Sequence, residues 1–295
     1  MSTEPTLAVV VIVLVGGAAL QRCLTALQHW PASIVVVGRV PAATALRARG
    51  VTVIESEASV PQRRAIGATA ARAPWVSFCE DTCAPAVTWW KGFLALQDQL
   101  AYDAWSGPIT IEATLPPRYL ALAAHEYGEF APGRWQRLAT ASGTSWRPVK
   151  RLAGLNVVYR AAALPAPAPP EGLIETELHE HLQASGRPLA IHPDLAVVYG
   201  AADPRNATVR ARFTHGRVYG GGLRSRLSPA LRMVAIVRCV ALPAVLFWRG
   251  WAGLPHGRRG SLTTCLWLLL FASAWSTGEA FGLTTGRGDS LERWH

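Results

Sequence analysis

Lysine is almost missing from this 295-residue chain: Lys91 and Lys150 are the only two, so arginine supplies nearly all of its 29 basic side chains. Acids are sparse too, at 19, and the formal charge is +10. The imbalance is local. From Gly200 onward 13 arginines stand against 4 acids, so a net +9 sits in the last third, beside the longest apolar runs. Arginines flanking apolar segments suit anionic lipid head groups, and no nucleic-acid partner is expected. The five cysteines form no C-x-x-C pair and show no Cys/His spacing of a zinc site, which points to reduced thiols in a cytoplasmic protein. The apolar start "LAVVVIVLVGGAAL" has no basic stretch before it and follows Glu4 and Pro5, so a buried strand is expected rather than a signal peptide. No G-x-G-x-x-G occurs at Gly16-Gly17, which disfavours a Rossmann dehydrogenase, and no internal repeat is found.

Half of the residues are hydrophobic, enough for a sizeable core. Short apolar strands alternate with amphipathic helices through the first 80 residues: 7–15, "SIVVVG", "VTVIES" and "WVSFC" as strands, with "LQRCLTALQHW", "ATALRARG" and "PQRRAIGATAARA" as helices between them. That alternation predicts an α/β fold whose parallel sheet carries helices on both faces and binds ligands at the carboxyl ends of its strands. Glu80 and Asp81 lie at such an end, in "PWVSFCEDTCAP". Farther on, the proline-rich 164–172 reads as a loop, "LIETELHEHLQASG" as a helix and "LAIHPDLAVVY" as one strand. Two apolar segments follow, 231–248 and 261–278. The first is interrupted by Arg238 and Pro243, and basic residues precede, separate and follow the pair, which suits a helical hairpin lying in the inner leaflet.

The order "VPQRRAIGATAARAPWVSFCEDTCAP", "WW", "GLNVVYRAAAL", "ETELHEHLQASG", "IHPDLAVVY" and "RFTHGRVYGG" resembles the family 2 glycosyltransferases over roughly residues 7–222. The resemblance implies a GT-A-type, mostly parallel sheet flanked by helices, with a catalytic domain at 1–226 and a membrane-associated helical tail at 227–295. It implies an inverting transfer from a nucleotide-sugar donor to a lipid-linked or cell-envelope glycan acceptor, at the cytoplasmic face of the cell membrane. That family holds Mg²⁺ or Mn²⁺ on a D-x-D motif against the leaving diphosphate. The matching triplet here is Glu80-Asp81-Thr82, in which both outer positions depart from Asp and Thr82 is a neutral ligand. The resemblance makes Asp81 and Thr82 the metal candidates and adds Glu80 to the donor site. Glu175 is implied as the general base, at the start of a helix, ahead of Glu177. Arg212, His215 and Arg217 match a basic element near the diphosphate, and His125, Glu126 and Tyr127 fall where the acceptor surface is built. The second strand ends in Gly38-Arg39 instead of acids that read the base, so the donor stays unnamed. The competing class is a non-catalytic scaffold of the same fold in an envelope-assembly complex.

Overall fold

The computed structural model describes residues 5–41, 43–99, 102–133 and 147–293. The chain divides into two compact units, the first made of 1–110 and 132–201, the second of 111–131 and 202–295.

Unit 1 opens with β1 (Leu7–Ile12), α1 (Gly17–Leu27), β2 (Ser33–Gly38), α2 (Ala43–Ala48), β3 (Thr52–Glu55), α3 (Val60–Ala70) and β4 (Trp75–Glu80). Every residue of β1 and β4 is buried, as expected of strands covered on both faces. These four strands run parallel in the order β3-β2-β1-β4. Beyond β4 come β5 (Cys83–Pro85), α4 (Trp89–Leu96), β6 (Ala104–Ser106), β7 (Ile109–Ile111), β8 (Arg147–Val149) and β9 (Asn156–Arg160). The sheet continues through β9, β6, β10 (Leu189–Ile191) and β8, with β9 antiparallel to both β4 and β6. The segment read as one strand from 189 is divided: β11 (Val197–Tyr199) belongs to a three-stranded sheet with β5 and β7. Pro193 lies in the break between them, where a residue without an N–H cannot extend a ladder.

Two local features set the position of the site. Parallel pairing puts Ile12 opposite Glu80, so the turn after β1 and the two acids at the end of β4 share one edge of the sheet. Antiparallel pairing puts Asn156 opposite Cys79, so the residues just before β9 also lie at that edge, and the Glu80 N–H reaches the Leu155 carbonyl at 3.4 Å. The helix α6 (Glu175–Ala184) is delivered by Gly172, whose φ of 89° and close approach to the Pro61 backbone exclude a side chain. The next residue, Leu173, donates its N–H to the Pro61 carbonyl at 2.9 Å. One turn of α3 separates Pro61 from Arg64, which brings the start of α6 to that arginine.

Unit 2 contains α5 (Pro117–Tyr127), α7 (Val209–Arg224), α8 (Pro229–Gly253) and α9 (Leu262–Thr285). Glycines spaced by four let α7 and α9 meet backbone to backbone. A Cβ on Gly216 or Gly220 would overlap the carbonyls of Trp275 or Glu279, and one on Gly278 or Gly282 those of Phe213 or Arg217. The basic, glycine-bearing stretch of the sequence is thus a helix shaped for close packing. The helix α8 runs through Pro243 and shows Val234, Val237, Val240, Val245 and Trp248 to the outside, while α9 exposes Leu262, Leu266, Leu269 and Leu270. By length and composition both are long and apolar enough to cross a membrane.

Candidate active site

Asp81 follows β4 and is completely buried. Its carboxylate accepts four hydrogen bonds from three successive backbone N–H groups: Leu14 at 2.9 Å, Val15 at 3.2 and 3.1 Å, and Gly16 at 2.6 Å. The turn after β1 is therefore wound around this side chain, helped by the φ of 75° at Gly16. A carboxylate has about four lone-pair positions, so these bonds leave little for a cation. The Thr82 hydroxyl lies 3.7 Å from the Cys83 sulfur, and the Thr82 carbonyl accepts from Arg22 Nη2 at 3.0 Å. Among the described residues no group of three His, Cys, Asp or Glu side chains could hold a metal ion. The donor set does not fit a divalent cation, which needs several free oxygens at short range.

Glu80 has a different partner. Arg63 and Arg64 are both buried on α3, a helix whose first turn is closed by the Ser59 N–H donating to Gln62 Oε1 at 3.1 Å. Arg63 ties that helix to the turn after β1 by donating to the Val13 carbonyl at 2.8 Å. Arg64 Nη2 lies 3.2 Å from Glu80 Oε1 and 3.2 Å from Glu175 Oε2. Two carboxylates from distant parts of the chain thus meet at one guanidinium nitrogen. The Glu80 side chain is 8% exposed and that of Glu175 28%, so Glu175 is the more accessible of the two acids. Gly154 leaves the room for this: a methyl there would overlap the Glu175 carboxylate and stand 2.8 Å from Arg64 Nη2.

Behind Glu175, Tyr159 on β9 bonds through its hydroxyl to His179 Nε2 at 2.6 Å, one turn along α6. Burial lowers the His179 pKa to about 3, helped by the nearby Arg64 and Arg151, so the ring is neutral. Burial likewise raises the Tyr159 pKa, and the Glu175 charge adds to that. The reading of the sequence missed Arg64, Tyr159, His179 and Gly154. The adjacent arginines of "QRRAIG", on a short helix between two apolar strands, were the available signal.

The remaining expected residues lie in unit 2. Arg212 is fully buried on α7 and forms an ion pair with Glu126 of α5. His215 Nδ1 lies 3.8 Å from the same carboxylate oxygen. His125 is buried against Trp275, its ring nitrogens without hydrogen-bond partners among the described residues. Burial, then the Arg212 charge, lowers the pKa of both histidines. Tyr127 is half-buried at the end of α5. Arg217 turns elsewhere: its Nε donates to the Gly286 carbonyl at 3.2 Å, its Nη1 lies 3.8 Å from Asp289, and its guanidinium stands over the Phe281 ring. The structure thus joins Arg212 and His215 to His125 and Glu126, and separates Arg217 from them.

No family model matches the chain, and no curated protein does. In three dimensions it is similar to GalNAc-T7, solved with UDP, GalNAc and Mn²⁺, at 15% identity and a TM-score of 0.49, over 66% of this chain but 43% of that one. It is also similar to the mannosyltransferase PcManGT from Pyrobaculum calidifontis, solved with GDP-Man and Mn²⁺, at 12% identity and a TM-score of 0.50, over 85% of this chain and 74% of that one. The chain spans less than half the length of GalNAc-T7. The likeness to PcManGT shows the GT-A-type α/β fold.

Proposed function

We propose that this chain is an inverting glycosyltransferase that moves a sugar from a nucleotide-sugar donor to a lipid-linked or cell-envelope glycan acceptor. The observation that carries the reading is the convergence of Glu80 and Glu175 on Arg64 at the carboxyl edge of a GT-A-type sheet, where open α/β sheets bind ligands. The mannosyltransferase PcManGT, which shares the fold, was solved with the nucleotide-sugar GDP-Man. In this reading the acceptor hydroxyl oxygen attacks the anomeric carbon as the bond to the diphosphate oxygen breaks, inverting that centre. Glu175, the more exposed of the two acids, takes the hydroxyl proton. No step is assigned to Mg²⁺ or Mn²⁺, because the Asp81 oxygens are engaged by backbone N–H groups. The exposed apolar faces of α8 and α9, with arginines before, between and after them, support association with the cytoplasmic face of a membrane.

The engaged Asp81 also favours a second reading, a scaffold of the same fold that transfers nothing. Purified full-length protein should gain thermal stability with one nucleoside diphosphate out of a panel, because a ligand that binds only the native state raises its apparent stability. The matching nucleotide-sugars should then be turned over. Binding without turnover on any acceptor would leave the scaffold, and no stabilisation by any nucleotide would remove the donor site. The full-length chain should sediment with membranes and be released by truncation after Arg226; a detergent-free soluble full-length protein would count against the membrane assignment.

A further inference from the structure

We infer that Arg64 is the positioning residue of this site: it anchors itself on Glu80 and holds the Glu175 carboxylate in place, taking up the acid that a metal motif would have presented to a cation. The inference rests on the reading of Glu175 as the general base. Three observations support it. Arg64 Nη2 is equidistant, at 3.2 Å, from the two carboxylates, and both Arg64 and Glu80 are buried, so the pair forms a fixed post at the sheet edge. The third corner is Gly154, where any side chain would occupy the place of the Glu175 carboxylate. Finally, the chain is docked for this contact, since Leu173 is bonded to Pro61 one turn before Arg64.

The arrangement has a chemical consequence. A guanidinium keeps its charge at any working pH, so Arg64 favours the ionised form of Glu175, the form that can accept a proton. When Glu175 accepts one, Arg64 retains Glu80 as its counterion, and no buried cation is stranded. Among the described groups facing Glu175 are Tyr159 from β9, whose pKa the Glu175 charge raises, and the neutral His179 one turn along its own helix.

The test uses the full-length chain in detergent micelles with ¹³C-labelled glutamate. The Glu175 carboxyl resonance is the one missing from Glu175→Gln, and its titration midpoint is read in wild type, Arg64→Gln, Arg64→Lys and Gly154→Ala. Loss of an opposite charge at this range should raise the midpoint by about one unit or more in Arg64→Gln. Arg64→Lys should restore part of it, and Gly154→Ala, which keeps Arg64 but displaces the carboxylate, should raise it as well. An unchanged midpoint in folded Arg64→Gln overturns the inference. Should that variant fail to fold because Glu80 is stranded, Arg64→Gln/Glu80→Gln removes the stranded acid and is read in the same way. Once a donor is known, the acidic limb of the rate profile should move with the midpoint. A wild type that transfers from no donor defeats the transferase reading, while the carboxyl titration still decides the role of Arg64.

Discussion

In unit 1 the buried Arg64 shares one nitrogen between Glu80 and Glu175. In unit 2 the equally buried Arg212 has Glu126 as its carboxylate among the described residues, with His215 and His125 alongside, both kept neutral by burial. The chemistry is the same and the count of acids differs. With two, either can lose its charge and the guanidinium still has a counterion. With one, the pair cannot be opened without leaving a cation in an apolar interior, which costs several kcal/mol. A shared arginine therefore permits proton traffic, whereas a one-to-one pair fixes a helix contact.

The same kind of substitution should separate the two. Glu175→Gln is expected to lower turnover by about 10²–10⁴ while moving the unfolding midpoint little, since the lost helix-start charge is worth about 0.3–1 kcal/mol. Glu126→Ala should instead cost about 3–5 kcal/mol of stability by stranding Arg212. Thermal unfolding at one fixed scan rate, together with transfer rates, reads both; equal stability losses would erase the distinction between the units.

A smaller effect tests how unit 2 is packed. Gly220→Ala places a methyl against the Glu279 carbonyl and should destabilise by about 1–3 kcal/mol, as overpacking does. Gly257→Ala, with nothing within 4 Å, provides the control, and matching behaviour of the two would mean that the glycines of α7 are not needed for its approach to α9.

The smallest effect returns to unit 1. His179 takes up a proton near pH 6.5 when unfolded, but at about 3 when folded. The unfolded chain therefore binds the extra proton, so the His179 contribution is full above about pH 6.5 and is lost as pH falls towards 3. Between pH 6.5 and 5.5 the loss should be about 1 kcal/mol. His179→Gln should flatten that part of the stability profile; an unaltered slope would mean that His179 does not titrate there. In unit 2, His125 and His215 act in the same direction.

Much of this was legible before any coordinates. Alternation of apolar runs with amphipathic segments placed β1 to β4 and the helices between them, because a strand buried on both faces needs continuous apolar residues. The placement of Glu80 and Asp81 at a strand end followed from the same pattern. The split at Pro193 was marked by the proline, although the apolar residues on either side suggested one strand.

What sequence order alone determined, then, is what lies within a few residues of each strand and helix: the parallel core, the acid pair, and Glu175 at the start of α6. Local periodicity and composition govern those features, and they are written along the chain. Tertiary structure alone decided where the acids point. Glu80 and Asp81 are neighbours, yet pleating and pairing send one to Arg64 and wrap the turn after β1 around the other. Arg64, Gly154 and Glu175 are brought together by the antiparallel placement of β9 and the docking of Leu173 on Pro61, both contacts between residues far apart in sequence. Their meeting depends on which strands pair and in which direction, and the energy of that pairing belongs to the whole sheet.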